Sequence, residues 1–382
     1  MLKLALVVGA RPNFMKIAPI LSELNRYPEE FEPFLVHTGQ HYDTKMSGVF
    51  FDDLGLPTPD VFLGVGSGSH AVQTAQTMIA FEKVLLEHRP DWIVVVGDVN
   101  STIACALDAV KLGIKVAHVE AGLRSRDRFM PEEINRILTD SISDLLFTSS
   151  RDGDANLLAE GITHEKICFV GNVMIDSLRR FDNYASQTNA LDAIGVHVAE
   201  YGLVTLHRPS NVDHPQQLAS ILNAFEEVQK RVRLVFPVHP RTRKMMIDFE
   251  LMERVDRMTG LMLVDPIGYK DFLQLERNSL MVLTDSGGIQ EETTVFGVPC
   301  LTLRENTERP VTVEVGTNTL VGLDEERIVA EALHIANGHG KKGQIPEGWD
   351  GRAAERIVQV FRNLSLSPNC QQLAAARGQL LA

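Results

Sequence analysis

The stretch "DWIVVVGDVNSTIACALDAVKLG", residues 91–113, predicts a strand, a turn and a helix in direct succession. Its continuous Val and Ile run is typical of a parallel strand that is covered on both faces. The segment after the turn has the length and the amphipathic pattern of a helix. Because a parallel strand followed by a helix is the repeating unit of doubly wound sheets, this stretch favours an α/β fold.

The same pattern recurs along the whole chain. Strands are predicted in the first half at 2–9, 31–39, 91–98, 115–120, 144–150 and 166–171, and in the second half at 201–208, 232–240, 260–266, 279–285, 298–304 and 318–322. Helices are predicted, among others, at 14–27, 102–113, 324–337 and 350–364. We therefore predict two doubly wound Rossmann-like domains, 1–171 and 172–350, and a C-terminal helix and tail, 351–382, that cross back to the first domain.

Composition excludes several classes of protein. The net charge of −13 argues against a general nucleic-acid or membrane-surface binder. No apolar run approaches the ~20 residues of a membrane helix, and the N-terminal stretch lacks a signal-peptide cleavage site. We therefore predict a cytoplasmic protein. The four cysteines are far apart and form no C-x-x-C motif, which predicts neither a zinc site nor a disulfide framework.

Ligands of doubly wound sheets bind beyond the carboxyl ends of the strands, so the residues that follow each strand are candidate site residues. Arg11 and Lys16 flank the first such turn, where an anion could lie between them, although Lys16 could equally be solvated. Asp98 follows the strand 91–98 and either caps the next helix or projects into the site. Glu120 closes the strand 115–120, and its alternative is a salt bridge to a nearby arginine, Arg124 or Arg126.

Glu132 lies in the first turn of a helix that Pro131 begins, and its spacing to Arg136 suits an i,i+4 ion pair. Together with Asp98 and Glu120 it makes three carboxylates near neighbouring strand ends. Such carboxylates repel one another unless a proton, a cation or a substrate intervenes, and this arrangement shifts pKa values towards acid/base use.

The second half offers a glycine turn and several cations. In "TDSGGIQEE", residues 284–292, a Ser-Gly-Gly turn between a strand and a helix suits a phosphate group. The cations that follow the neighbouring strands are His207, Arg208, His239, Arg241, Arg243, Arg304 and Arg309. We therefore predict a phosphorylated or nucleotide-linked ligand, bound in a cleft between the two domains.

The motifs "GARPNFMK", "TGQHYD", "GDVNST", "HVEAGLRS", "MPEEINR", "TLHR", "DSGGIQEE" and "TERP" occur in this order. Over residues 3–362 the chain resembles the non-hydrolysing UDP-N-acetylglucosamine 2-epimerase family. The resemblance implies a GT-B fold whose second domain binds the nucleotide, and a homodimer. It implies interconversion of UDP-N-acetylglucosamine and UDP-N-acetylmannosamine, with no metal or redox cofactor and with no nucleic-acid or membrane partner.

The implied reaction removes the proton at sugar carbon 2 and expels UDP by anti elimination. UDP then adds back to the 2-acetamidoglucal intermediate, with a proton on the other face. The family's catalytic positions match Asp98, Glu120, Glu132 and His207. The three carboxylates would exchange the proton, without a face being assigned to each, and His207 would support the diphosphate or the departing oxygen.

The resemblance also implies substrate contacts. The diphosphate would be held by Ser286, Gly287 and Gly288, and the ribose hydroxyls by Glu292, whereas Glu291 would complement the helix N-terminus. The remaining substrate-binding positions are Arg11 and Lys16 in the first domain, Arg309 at a phosphate, Ile267 and Phe272 at the uracil, and His239 as a cation beside the anionic ligand.

Two departures from the family pattern leave alternatives open. An Arg-Gln pair that helps many bacterial members bind an activating second substrate is absent from "GVGSGSHAVQT", 64–74, although Gln40 and His41 are present. Ser210 also stands where many members have Glu. The alternatives are an epimerase of a modified sugar such as UDP-2,3-diacetamido-glucuronic acid, with Arg128 or Arg208 as the extra cation, a hydrolysing epimerase, and a GT-B glycosyltransferase.

Overall fold

A computed structural model describes residues 1–39, 58–185 and 188–365. The chain forms two compact units, Met1–Ser177 with Glu347–Ala382, and Leu178–Pro346. The first unit extends beyond the predicted limits of 171 and 350, because residues at both points pack into it. Ser177 donates a hydrogen bond to the Met15 carbonyl, and the buried Trp349 donates one to the Ser149 carbonyl at 2.9 Å.

The first unit is built on a seven-stranded parallel sheet. Its strands are β1 Leu2–Val8, β2 Phe31–His37, β3 Val61–Phe62, β4 Trp92–Val96, β5 Lys115–Ala121, β6 Leu145–Thr148 and β7 Ile167–Phe169. The order is β3-β2-β1-β4-β5-β6-β7, so the winding direction reverses between β1 and β4. Each predicted strand is present, and the two-residue β3 is the one strand of this sheet that the sequence pattern missed.

Among the described residues, seven helices lie in the first unit or begin there. They are α1 Arg11–Leu24, α2 His70–His88, α3 Asn100–Lys111, α4 Pro131–Ile142, α5 Arg151–Ala159, α6 Val173–Ala185 and the C-terminal helix Ala353–Ser365. The C-terminal helix packs on the first unit, as predicted. Its Phe361 is fully buried, with ring centroids 5.7 Å from those of both Trp92 and Phe147.

The second unit contains a six-stranded parallel sheet of the same design. Its strands are β8 Tyr201–Thr205, β9 Arg233–Pro237, β10 Leu261–Val264, β11 Met281–Thr284, β12 Cys300–Thr302 and β13 Asn318–Leu320. The order β10-β9-β8-β11-β12-β13 reverses between β8 and β11. Such reversal points are where doubly wound sheets bind ligands.

The helices of the second unit are α7 Ala190–Ile194, α8 Pro209–Val212, α9 Pro215–Val228, α10 Pro240–Asp248, α11 Met252–Asp256, α12 Tyr269–Asn278, α13 Gly287–Phe296, α14 Pro310–Glu314 and α15 Glu325–His334. One face of the sheet packs on α9, where the rings of Phe225 and Phe236 meet edge to face at 6.3 Å. Among the described residues, no helix combines the length and the apolar character that crossing a membrane requires.

Candidate active site

Glu120 lies at a bulge in β5. Its φ of +72° is in the left-handed region, which a side chain with a Cβ rarely adopts. The pairing of β5 with β6 shifts register between Val119 and Ala121, so Glu120 is the extra residue of the bulged strand. Because a bulge re-aims a side chain and backbone strain concentrates at functional sites, this geometry singles out Glu120.

The carboxylate of Glu120 forms a buried ion pair with Lys16 of α1. The two side chains are 5% and 8% exposed, so Lys16 is not a solvated surface charge. Arg124, one of the two alternative partners of Glu120, instead binds Asp140 at 2.7 Å. A Cβ placed on Gly97 would lie 3.2 Å from Lys16 Nζ, so the turn after β4 packs closely on this ion pair.

Asp98 does not cap the helix that follows it. The N-cap of α3 is Val99, and no side chain caps this helix. Asp98 Oδ2 instead accepts a hydrogen bond from Arg136 Nη2 at 2.5 Å, and the Asp98 carbonyl accepts one from Asn135 at 2.9 Å. Of the two roles considered for Asp98, the helix cap is therefore excluded, because its side chain is held by Arg136 of α4.

The i,i+4 ion pair between Glu132 and Arg136, the structural alternative for Glu132, does not form. Arg136 pairs with the neighbouring Glu133, which is buried and lies one position closer in the helix. Glu133 also accepts hydrogen bonds from the Ser125 amide at 2.9 Å and from the Arg126 amide at 2.8 Å. Burial raises the pKa of Glu133, but these amides and Arg136 more than offset it, and the pKa lies below its usual value.

The adjacent residues Glu132 and Glu133 lie in different environments. Glu133 fixes the loop between β5 and α4, whereas the half-buried Glu132 has no hydrogen bond or ion pair to any residue that the structure describes. An unpaired carboxylate in a polar cluster is suited to acid/base work. The helix α1 begins at Arg11, but the Arg11 side chain lies outside the described part of the chain, as do Gln40 and His41.

In the second unit, His207 is oriented by a buried aspartate that the sequence analysis did not single out. Asp285 Oδ1 lies 3.0 Å from His207 Nδ1, and Asp285 also accepts the amides of His207 and Arg208. Burial raises the pKa of Asp285, but the hydrogen bonds and the His207 ring lower it below its usual value. The signal was present, because Asp285 directly follows β11 in "TDSGG".

His239 caps α10, and its Nδ1 accepts the Arg241 amide at 3.2 Å. An accepting Nδ1 leaves the proton of the neutral ring on Nε2. Burial and the neighbouring His207 lower the pKa of His239. The two rings lie 6.0 Å apart between centroids. In its neutral form His239 offers a hydrogen-bond donor at Nε2, whereas the sequence predicted a cation at this position.

The glycine turn begins α13 at Gly287, with Ser286 as its N-cap and no side-chain cap hydrogen bond. A Cβ on Gly287 would lie 2.6 Å from Arg309 Nη1, so a larger residue here would displace the Arg309 guanidinium. A Cβ on Gly288 would meet no atom within 4 Å, which leaves open space beside the helix N-terminus. First-turn amides without a cap bind anions, although the Ser286 amide already donates to Thr284 Oγ1 at 2.9 Å.

Arg309 is held beside this turn by two carboxylates. Its Nε donates to Glu291 at 2.7 Å and its Nη1 to Glu308 at 2.5 Å. Glu291 therefore binds an arginine in addition to lying near the helix N-terminus. The buried Glu308 also pairs with Arg304 at 2.7 Å and lies 3.8 Å from Arg208. Burial raises the pKa of Glu308, but the arginines hold it well below its usual value.

Glu292 lies in a buried carboxyl pair. Its Oε1 accepts a hydrogen bond from the Tyr269 hydroxyl at 2.6 Å. Behind it lies Glu276 of α12, which is fully buried and has no hydrogen-bond donor among the described residues. Burial and the nearby Glu292 carboxylate raise the pKa of Glu276 well above its usual value. Burial and a neighbouring carboxylate both favour the protonated form of Glu276, which would have a donor for Glu292.

Ile267 and Phe272 line the edge of an apolar cluster beside α13. Both are partly buried and pack on residues that include Ile289 and Val264. Over the residues that the structure describes, no group of three or more His, Cys, Asp or Glu side chains could hold a metal ion. Carboxylates, imidazoles and uncapped helix amides such as those at these strand ends are suited to proton transfer and anion binding.

A family model described as UDP-N-acetylglucosamine 2-epimerase matches residues 22–362. The chain belongs to this family. A relative from Methanococcus maripaludis, named as a UDP-N-acetylglucosamine 2-epimerase homolog, is 46% identical over 95% of this chain and 100% of its own length. A relative from Pseudomonas aeruginosa, named as a UDP-2,3-diacetamido-2,3-dideoxy-D-glucuronate 2-epimerase, is 40% identical over 95% of this chain and 100% of its own.

Solved structures of the family share the fold. The Methanocaldococcus jannaschii UDP-GlcNAc 2-epimerase, crystallised with UDP-GlcNAc and UDP, matches with a TM-score of 0.87 and 43% identity over 95% of this chain and 100% of that chain. A glycosyltransferase from Rickettsia africae, at 11% identity and a TM-score of 0.55 over 96% of this chain and 99% of that chain, shares the fold alone. The GT-B fold class is confirmed.

We expect Glu276→Gln to become more stable relative to the wild type as the pH rises from 5 to 7. Below its usual pKa the carboxyl is protonated in both the folded and the unfolded state. Above that value only the folded state keeps the proton, so the wild-type free energy of unfolding falls by about 1.4 kcal/mol per pH unit. Gln has no such proton and preserves the donor to Glu292.

Urea unfolding at several pH values measures this difference. The control is Glu253→Gln, because the Glu253 side chain is 88% exposed. Its stability difference from the wild type should stay constant between pH 5 and 7. A constant difference for Glu276→Gln as well would show that Glu276 is ionised in the folded protein.

Proposed function

We propose that the protein is a non-hydrolysing epimerase that inverts carbon 2 of UDP-N-acetylglucosamine to give UDP-N-acetylmannosamine, without a metal or redox cofactor. The observation that carries the proposal is the strained, buried Glu120, which Lys16 holds at a strand end beside Asp98. The relative from Methanocaldococcus jannaschii, whose crystals contain UDP-GlcNAc and UDP, supports the substrate class.

The proposed reaction needs a base and a stabilised leaving group. The carbon 2 proton is weakly acidic, because no carbonyl group is bonded to that carbon. As a base takes the proton, the C–H electron pair forms the carbon 1–carbon 2 double bond, and the carbon 1–oxygen pair leaves with UDP. UDP then returns to carbon 1 of the 2-acetamidoglucal while a proton is delivered to the opposite face of carbon 2. Catalysis therefore requires proton-transfer groups and positive potential around the diphosphate.

Three carboxylates of the first unit are proposed to exchange the carbon 2 proton. Glu120 is held by Lys16 and Asp98 by Arg136, so both are oriented before substrate binds. Glu132 is unpaired among the described residues and is able to gain or lose a proton without breaking an ion pair. We further propose that Lys16 and Arg11 contact the substrate.

The second unit is proposed to bind the UDP moiety. Gly287 and Gly288 would present first-turn amides to the diphosphate, with the Ser286 hydroxyl and Arg309 beside them. Glu292 would accept hydrogen bonds from the ribose hydroxyls, as its Oε1 already does from the Tyr269 hydroxyl.

The second unit is also proposed to contact the uracil and to supply one further polar contact. Ile267 and Phe272 would contact the uracil through the edge of their apolar cluster. His239 would donate a hydrogen bond from Nε2 to the anionic ligand, because its Nδ1 already accepts the Arg241 amide.

His207 is proposed to support the diphosphate or the departing oxygen. Its Nδ1 points at Asp285, which fixes the ring and leaves Nε2 for the ligand. The side chain is 44% exposed, so Nε2 is accessible. A hydrogen bond from Nε2 would stabilise the negative charge that develops on the leaving diphosphate.

A second candidate is the same reaction on a sugar that carries a carboxylate. The Pseudomonas aeruginosa relative is named for such a substrate. Of the two extra cations considered, Arg208 donates to the Asp285 carbonyl at 2.9 Å and lies near Glu308, whereas Arg128 is exposed and makes no ion pair to a described residue. Arg128 is therefore the better candidate to bind a sugar carboxylate.

We also propose a homodimer. Val72, Ile79 and Leu86 of α2 are 45%, 63% and 56% exposed, and their seven-residue spacing places them in one stripe along the helix. An exposed apolar stripe of this kind is typical of an interface with a second copy. The cytoplasmic location stays a prediction from the sequence.

Proton exchange in deuterium oxide tests the proposed reaction. We expect ¹H NMR to show deuterium at carbon 2 of an intact UDP-sugar, together with a growing fraction of the manno epimer, when the protein is incubated with UDP-N-acetylglucosamine. Free sugar would indicate hydrolysis instead. Exchange only with UDP-2,3-diacetamido-glucuronic acid would favour the second candidate, and that activity should then fall in Arg128→Ala. No exchange with either sugar would contradict an epimerase function.

Removing each catalytic carboxylate should lower turnover without weakening nucleotide binding. For Asp98→Asn, Glu120→Gln and Glu132→Gln we expect kcat to fall about 10²-fold or more, the range that general acid–base groups contribute. The Kd of UDP, measured by calorimetry, should stay nearly unchanged. Glu165→Gln, at an exposed carboxylate of the first unit, is the control and should retain full kcat. Normal rates in all three variants would disprove the assignment.

A charge in the apolar stripe should disrupt the dimer. Ile79→Glu should give a monomer in sedimentation velocity, because the interface would bury an unpaired carboxylate. Val198→Glu is the matched control, since Val198 is 62% exposed but lies in the second unit, away from the stripe. A dimer that persists in Ile79→Glu would place the interface elsewhere, and a monomeric wild type would contradict the homodimer.

A further inference from the structure

His118 is a buried histidine whose two ring nitrogens both face acceptors. It lies in β5, and its side chain is fully buried. Nδ1 is 2.6 Å from Asp140 Oδ1, and Nε2 is 2.8 Å from the Gly97 carbonyl oxygen. A carbonyl oxygen and an ionised carboxylate accept hydrogen bonds but cannot donate them. Both contacts are hydrogen bonds only if each ring nitrogen carries a proton, which makes the ring an imidazolium.

The charges around His118 are balanced. Asp140 also accepts hydrogen bonds from the Gly122 amide at 3.1 Å and from Arg124 at 2.7 Å. Burial raises the pKa of Asp140, but His118 and Arg124 more than offset it, so the carboxylate is ionised. Arg124 in turn binds both oxygens of Glu160 at 2.8 and 2.6 Å. The positive and negative groups thus alternate, which is how buried charges are stabilised.

The two hydrogen bonds of the ring reach the backbone beside the candidate catalytic carboxylates, one directly and one through Asp140. The Gly97 carbonyl directly precedes Asp98. Through Asp140, the ring is also connected to the Gly122 amide, which follows the strained bulge at Glu120. Gly97 itself packs on the ion pair of Glu120, since a Cβ placed there would lie 3.5 Å from Glu120 Oε2. Movement of the Gly97 peptide would displace Asp98 and open space beside Glu120.

We propose that His118 is a positioning residue for carbon 2 epimerisation. As an imidazolium it links the turn after β4 to the bulge of β5 and so holds Asp98 and Glu120 in the geometry that proton exchange requires. The inference rests on the proposed function of these two carboxylates. It assigns no contact between His118 and the substrate.

Two amide substitutions separate the two hydrogen bonds. In His118→Gln the amide nitrogen reaches the position of Nε2 and keeps the donor to the Gly97 carbonyl. In His118→Asn it lies near the position of Nδ1 and keeps the donor to Asp140 alone. We expect kcat to fall about 10²-fold in His118→Asn, the cost of a small misplacement of catalytic groups, and less than tenfold in His118→Gln. The KM and the Kd of UDP should stay within about threefold of the wild type in both.

His164→Asn, at an exposed histidine of the same unit, is the control and should keep full activity. Thermal unfolding of each variant shows whether the fold is retained. Full kcat in a folded His118→Asn variant, or equal losses in both amide variants, would overturn the positioning role.

NMR of the wild-type protein tests the imidazolium without any substitution that affects folding. Two-bond ¹H–¹⁵N spectra of ¹⁵N-histidine-labelled protein at neutral pH should show both His118 nitrogens as protonated, with the signals assigned through the His118 backbone resonances. A ring with one bare nitrogen would overturn the proposal, even if both variants fail to fold.

This outcome is independent of the reaction itself. Wild-type protein that exchanges no deuterium would contradict the proposed function while leaving the NMR result intact. Active wild type with an unimpaired His118→Asn would contradict the positioning role alone.

Discussion

The first unit depends on the ion pair between Lys16 and Glu120. Burying either charge alone costs several kcal/mol, and a buried pair is tolerated only where each charge compensates the other. Lys16 comes from α1 and Glu120 from a bulge in β5, so the pair connects the first helix to the fifth strand. The left-handed backbone of Glu120 persists because this pairing fixes its side chain.

Compensation by an opposite charge also accounts for most of the other charged side chains at the strand ends. Arg136 compensates Asp98 and Glu133, and Asp285 is compensated by the ring of His207. Two carboxyl groups of the candidate site have no such cation among the described residues. Glu276 is buried beside the Glu292 carboxylate, which raises its pKa well above the usual value, whereas Glu132 is partly exposed.

The two units apply one architecture to two kinds of chemistry. Both sheets reverse their strand order at the first strand of the unit, and both place polar side chains after the strands at that point. The first unit supplies carboxylates held by cations, and the second supplies an uncapped helix N-terminus with arginines beside it. This division matches a reaction in which a proton and a diphosphate leave one substrate together.

The sequence by itself determined the α/β class, nearly every strand and the motifs that place the chain in its family, because apolar runs, helix periodicity and turn residues are local signals. Only the tertiary structure decided which charges meet. Glu120 pairs with a lysine 104 positions away instead of a nearby arginine, and Arg136 binds Glu133 instead of Glu132. The burial of Glu276 beside Glu292, which raises the pKa of Glu276, was equally hidden. Ion pairing and burial depend on distances that packing sets, and sequence separation carries no information about those distances.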